Sequence, residues 1–222
     1  FEQRHERVDT ERREPRNGSY HTIIPRILCD NFGAQTDRLP ARIMLFLVSL
    51  FWNICLTRKG PEDVPAQYAL IAALIIGKIV LILGVSAYVN DEVRVLSLIT
   101  QVVTWSTLVG LLTALALQLS GHFERLTATF GAILGTELVM ATLYLCVLLA
   151  ARSAGYEYEP DADTLFNKLN NLFNIVVQLW KIFIVGFIMH RALNLNIMLG
   201  ITIGLLIMIV SLSISSEVAR LA

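Results

Sequence analysis

Apolar residues run along this chain in long blocks, without the alternating or helical rhythm of a domain that faces water on one side. Five blocks, residues 68–89, 95–119, 127–150, 172–189 and 195–215, each hold about the twenty residues that a helical crossing requires. A helix satisfies its own backbone hydrogen bonds in hydrocarbon, so the pattern predicts an all-α polytopic bundle of five transmembrane helices. A sixth block, residues 43–56 (IMLFLVSLFWNICL), is as apolar but shorter. As a helix it covers about 21 Å against a hydrocarbon thickness of about 30 Å. Ser49, Asn53 and Thr57 recur along one of its faces, and Arg42, Arg58 and Lys59 stand at its ends. It is expected to lie in the interface or re-enter the membrane as an amphipathic helix, not to cross.

Three regions follow from this pattern: a polar charged head (1–41), the interfacial helix (42–59) and the five-helix domain (60–222). Gly60-Pro61 and Pro65 break the chain ahead of the first span. The connections at 90–94, 120–126 and 190–194 are short, which predicts antiparallel packing of consecutive helices; residues 151–171, with Glu157, Glu159, Asp161 and Asp163, form the longer loop.

Composition agrees with a bilayer as solvent: 55% of the 222 residues are hydrophobic, 16% are charged, and the mean hydropathy is +0.61. Eighteen basic residues balance eighteen acidic ones, which gives no reason to expect a nucleic-acid partner. Ten of the basic and nine of the acidic residues precede residue 68, so the head is the part expected to meet a cytoplasmic partner. Residues 1–17 are too charged for the apolar core of a signal peptide, and insertion is expected to rely on an internal helix. With five spans, twelve Lys and Arg fall on the N-terminal side and four on the other, which predicts an N-terminus inside and a C-terminus outside. A bacterial inner membrane is the expected location, with a mitochondrial inner membrane as the alternative.

Lys78, Glu137 and Lys181 stand near the centres of three different spans. In hydrocarbon each costs about 2.5 to 3.5 kcal/mol on insertion scales, so they are expected to face one another or a wet cavity. Lys78 has no charged neighbour on its own helix, so another helix has to supply Glu137, Gln101 or a backbone carbonyl, and Glu137 is the expected partner. Asn167, Asn170, Asn171, Asn174, Gln178 and Lys181 share one face of the fourth span. Such a stripe reads either as a half-channel ending at Lys181 or as amides that hold helices together by hydrogen bonds. Two lysines and one carboxylate do not balance, which leaves one lysine to be neutral, to snorkel, or to meet an acidic group of another chain or a lipid phosphate. Gly131 with Gly135, and Gly200 with Gly204, have the spacing that lets helices approach closely, within this chain or against another membrane protein. Trp52 fits an interface anchor; Trp105 and Trp180 are expected to be packing residues.

No sequence feature points to catalysis, a cofactor or a metal. Cys29, Cys55 and Cys146 lack paired spacing and read as free thiols; His5, His21, His122 and His190 form no metal motif. Phosphate-binding loops and nucleophile elbows are missing, and Glu137 is the one carboxylate at membrane depth where an aspartyl protease needs two.

The stretch LWKIFIVGFIMHRAL (179–193), with Trp180, Gly186, His190, Arg191 and Ala192, resembles the last hairpin of the Yip (Ypt-interacting protein) family of multi-pass membrane proteins. A polar head followed by five closely connected spans is similar in layout. RKGPEDVPAQ (58–67) also looks like a linker found before the spans of small bacterial membrane proteins. The resemblance implies scaffolding, trafficking or assembly. The leading expectation is therefore a non-enzymatic scaffold, assembly factor or complex subunit that docks other integral membrane proteins through its glycine-bearing faces. The alternative is a small transporter or channel with Lys78, Glu137, Lys181, Gln178 and Asn174 as its polar centre.

Overall fold

A computed structural model of the protein describes residues 39–89, 95–153 and 165–221; the head and the acidic loop fall largely outside them. The described residues form six α-helices and no strand: α1 (Leu39–Cys55), α2 (Tyr68–Val89), α3 (Val95–Leu119), α4 (Leu126–Ser153), α5 (Leu165–Leu193) and α6 (Ile197–Leu221). Five of them, α2 to α6, are long and apolar enough to cross a membrane, and α1 is not. The protein is a polytopic helical membrane protein with one additional short apolar helix.

From Met44 onward α1 presents two faces. Leu50, Phe51, Ile54 and Cys55 are buried in the same apolar core as the spans, while Met44, Leu45, Phe46, Val48 and Trp52 are exposed. The Phe51 ring occupies the place where a Cβ on Gly135 of α4 would stand, and Val64 of the following linker lies 3.4 Å from the corresponding point on Gly131. The helix ends at Cys55, four residues short of the expected boundary, and Thr57 turns the chain with φ +57°.

The linker and the turns from α3 to α4 and from α5 to α6 gather at one end of the bundle, here the linker end. Arg191 donates to Glu62 at 2.6 Å, Arg125 donates to the carbonyl of Ala192 at 3.3 Å, and the side chains of His122 and Asn194 meet at 3.4 Å. At the far end Ser97 donates to the carbonyl of Ala219, so successive spans alternate in direction. Gly121, with φ +75°, makes the turn before α4 in a conformation that a Cβ disfavours. Asn194, at φ +53°, closes α5, and the side-chain oxygen of Asn196 accepts from the Met198 amide to start α6. These two asparagines set the last span two residues later than the apolar pattern indicated.

Consecutive spans do touch, but the main neighbours differ from the order expected from short connections. α2 packs chiefly on α4, and α3 packs chiefly on α6. The five spans thereby close a ring in the order α2, α4, α5, α6, α3. Side-chain size explains the closest pair: a Cβ on Gly200 or Gly204 would meet α5 backbone at Gly186 and His190, 2.6 to 2.9 Å away, so only glycines permit this approach.

An intramembrane cavity with a charged centre

Each span of the ring sends a residue toward a cavity of about 540 Å³: Lys78 from α2, Trp105 from α3, Glu137 from α4, Lys181 from α5 and Met208 from α6 are among those that line it. The lining runs from the middle of the helices toward their ends away from the linker. On the linker side Ile133 and Leu134 of α4 and Ile184, Val185 and Ile188 of α5 are buried to within 2% exposure in the apolar core.

Lys78 and Glu137 form an ion pair, with the residues 9% and 5% exposed. The α2–α4 contact is what brings them together, since no group on α2 itself could compensate the ammonium. Trp105 completes the arrangement: its indole N–H donates to both carboxylate oxygens, at 3.1 and 3.2 Å, and the Lys78 ammonium lies 5.4 Å from its ring centroid. The carboxylate thus accepts from two charged or strongly polar donors, the condition under which a buried ion pair is tolerated. Glu137 is within Coulombic reach of both lysines. Lys181 nevertheless has no hydrogen-bond partner and no carboxylate oxygen within 4.0 Å among the described residues.

Of the amide stripe on α5, Asn174 and Gln178 line the cavity above Lys181, with Asn174 donating to the Tyr144 hydroxyl at 3.4 Å. Asn170 is buried, Asn171 is exposed, and the side chain of Asn167 lies outside the described residues. Gln101 of α3 also lines the cavity.

Trp105 and Tyr144 are the members of this cluster that the sequence did not single out. Trp105 read as a packing residue, although a midspan indole N–H has no acceptor on its own helix and must find one elsewhere. Trp180 is half exposed and tilts against Phe183 at 6.0 Å, and Trp52 is exposed on α1.

The four paired glycines are all engaged within the chain, two on α1 and the linker and two on α5. Gly186, the third glycine of the α5–α6 contact, is the one the spacing did not reveal. At the linker end a second cavity, about 580 Å³, is lined by Glu62, Arg125, His190 and Arg191. His190 there contacts the carbonyl of Leu195, and no cluster of three metal-binding side chains occurs among the described residues. Cys146 is exposed; Cys55 is buried in α1, which pushes its thiol up to about 12 and keeps it protonated. Cys29 lies outside the described residues.

The chain matches no family model, no curated protein and no solved structure.

Proposed function

We propose that this protein is a small non-enzymatic carrier that binds a solute inside the membrane. The observation that supports this most is the cavity itself: five spans line a volume typical of small-molecule sites, and among the lining residues are an ion pair and a second lysine, Lys181. A bundle built only for packing has no need of ionised groups beside such a space. Ile133, Leu134, Ile184 and Val185, on the linker side of Glu137 and Lys181, are buried in the apolar core, which favours a carrier closed on one side over a continuous pore. With the N-terminus inside, as the Lys and Arg distribution supports, the cavity belongs to the outer half of a bacterial or mitochondrial inner membrane. The Yip-like scaffold reading invoked glycine-bearing faces and the charged head as docking elements; the four paired glycines pack within the chain, and the head falls largely outside the described residues.

Proteoliposomes loaded with choline, lactate or octanesulfonate, representing a cation, a small anion and an amphiphilic anion, test the reading. The expected result is saturable release of at least one of them by the wild-type protein. Glu137→Gln, which keeps an acceptor for Trp105 but removes the charge, is expected to abolish release, and Glu137→Asp to restore part of it. No release of any probe, together with a stoichiometric chain co-purifying after gentle extraction, would return the protein to the scaffold or subunit reading.

A further inference from the structure

We infer that the cavity takes an anionic amphiphile carrying a single charge, whose head pairs with Lys181; this deepens the carrier reading and rests on it for the biological role, not for the binding itself. Three observations converge. First, pairing: Lys78 is matched to Glu137, which also accepts from Trp105, whereas Lys181 lines the cavity with no carboxylate oxygen within 4.0 Å among the described residues and is the lysine left to meet an anion. One anion completes the pairing, whereas a cation would leave Lys181 unmatched.

Second, α5 groups its donors on one face, while Gln101, Tyr144 and Ser215 add single polar points elsewhere in the lining. Lys181, Gln178 and Asn174 supply donors in successive turns of a single helix face, enough for a carboxylate, sulfonate or phosphate monoester. Much of the remaining lining is hydrocarbon, with Val102, Met140, Leu205, Met208, Ile209 and Leu212 prominent in it. A small hydrated anion would leave that lining uncovered; an anion bearing an alkyl body would cover it. Third, Ile184, Val185 and Ile188, which follow Lys181 toward the linker end, are buried, and Lys181 itself lines the cavity.

A lipid and a free amphiphile share this chemistry. The test is equilibrium binding of octanesulfonate, which stays charged across the working pH range, to the full chain in a non-ionic detergent. Saturable binding is expected, with 1-octanol and octyltrimethylammonium weaker by about tenfold or more, because each lacks the charge-assisted contact. Lys181→Gln is expected to weaken octanesulfonate by about tenfold while leaving octanol unchanged, and Lys181→Arg to retain binding. Thermal unfolding of each variant shows that the bundle is intact, and the octanol comparison still reads the charge preference of the wild-type chain if Lys181→Gln does not fold.

Equal affinity for octanesulfonate and octanol, or unchanged binding in a folded Lys181→Gln protein, overturns the inference. Repeating the titration in nanodiscs separates the sources. Weaker binding in phosphatidylglycerol than in phosphatidylcholine assigns the site to a lipid headgroup, and equal binding assigns it to a free anion. Anion binding without flux keeps the inference and removes the carrier; Glu137-dependent choline release without anion binding does the reverse.

Discussion

The two halves of the bundle are built on different principles. Toward the linker, α4 buries an unbroken run from Gly131 to Glu137, α5 buries most of Ile184 to Leu193, and glycines bring α5 and α6 into backbone contact. Away from it, α5 exposes Leu169, Leu172, Ile175, Val176 and Leu179, and α4 buries only Met140 and Leu148 beyond Glu137. Lys78 and Glu137 stand where the two regimes meet. In lipid, apolar side chains gain little by leaving hydrocarbon for a protein interior, so close packing and polar contacts decide which helices adhere. Small residues permit such packing on the linker side, and bulky ones set against polar groups leave a cavity on the other.

The largest expected effect comes from breaking the junction. Glu137→Leu leaves the Lys78 ammonium buried without its partner and should cost about 3 to 5 kcal/mol, the range for orphaning one member of a buried pair. Lys78→Leu combined with Glu137→Leu should recover most of that loss. Unfolding in mixed micelles, followed by helicity, measures the cycle; if the double variant were no better than Glu137→Leu, the pair would not be what joins the halves.

Next in size is a contrast between two glycines. Alanine at Gly200 places a Cβ 2.6 Å from the Gly186 carbonyl oxygen and 2.7 Å from the His190 amide nitrogen. Backbone cannot yield as a side-chain end can, so Gly200→Ala should cost about 1 to 3 kcal/mol. Gly84, in the far half of α2, has nothing within 4 Å, and Gly84→Ala should be neutral or stabilise by about 0.5 to 1 kcal/mol through helix propensity. The same micelle titration compares them, and equal losses at both positions would remove the distinction between the halves.

The halves also differ in how legible they were. The five spans could be read because bilayer thickness fixes a length, and residues 43–56 could be set apart because they fall short of it. Lys78, Glu137 and Lys181 stood out because an ion in hydrocarbon needs a reason. What the chain did not reveal was the ring. Short turns make α2 and α3 adjacent in sequence, yet Lys78 needs Glu137, and α2 therefore favours α4. Gly186 carried no signal for a similar reason: its partners Gly200 and Gly204 are repeated four residues apart on one helix, while it stands alone on another. Pairwise complementarity between helices is not a periodicity, and Trp105 escaped notice because its acceptor lies on a different span.

Trp105→Phe, which keeps the ring but removes the N–H donor, should cost about 1 kcal/mol, since Glu137 retains Lys78 as a donor. A smaller effect is expected from the charges at the linker end. Arg191 and Glu62 approach to 2.6 Å, but their side chains are 39% and 59% exposed, so solvent and salt compete for both. Glu62→Gln should therefore change stability by about 0.5 kcal/mol at low salt. In 1 M salt, where the screening length falls to about 3 Å, even that difference should vanish. Arg125 should still hold the end of α5, because it donates to the Arg191 and Ala192 carbonyls without needing a counter-charge. Micelle unfolding at the two salt concentrations reads the difference. A loss as large as that of Gly200→Ala, persisting in salt, would mean that charge and not close helix packing closes the linker half.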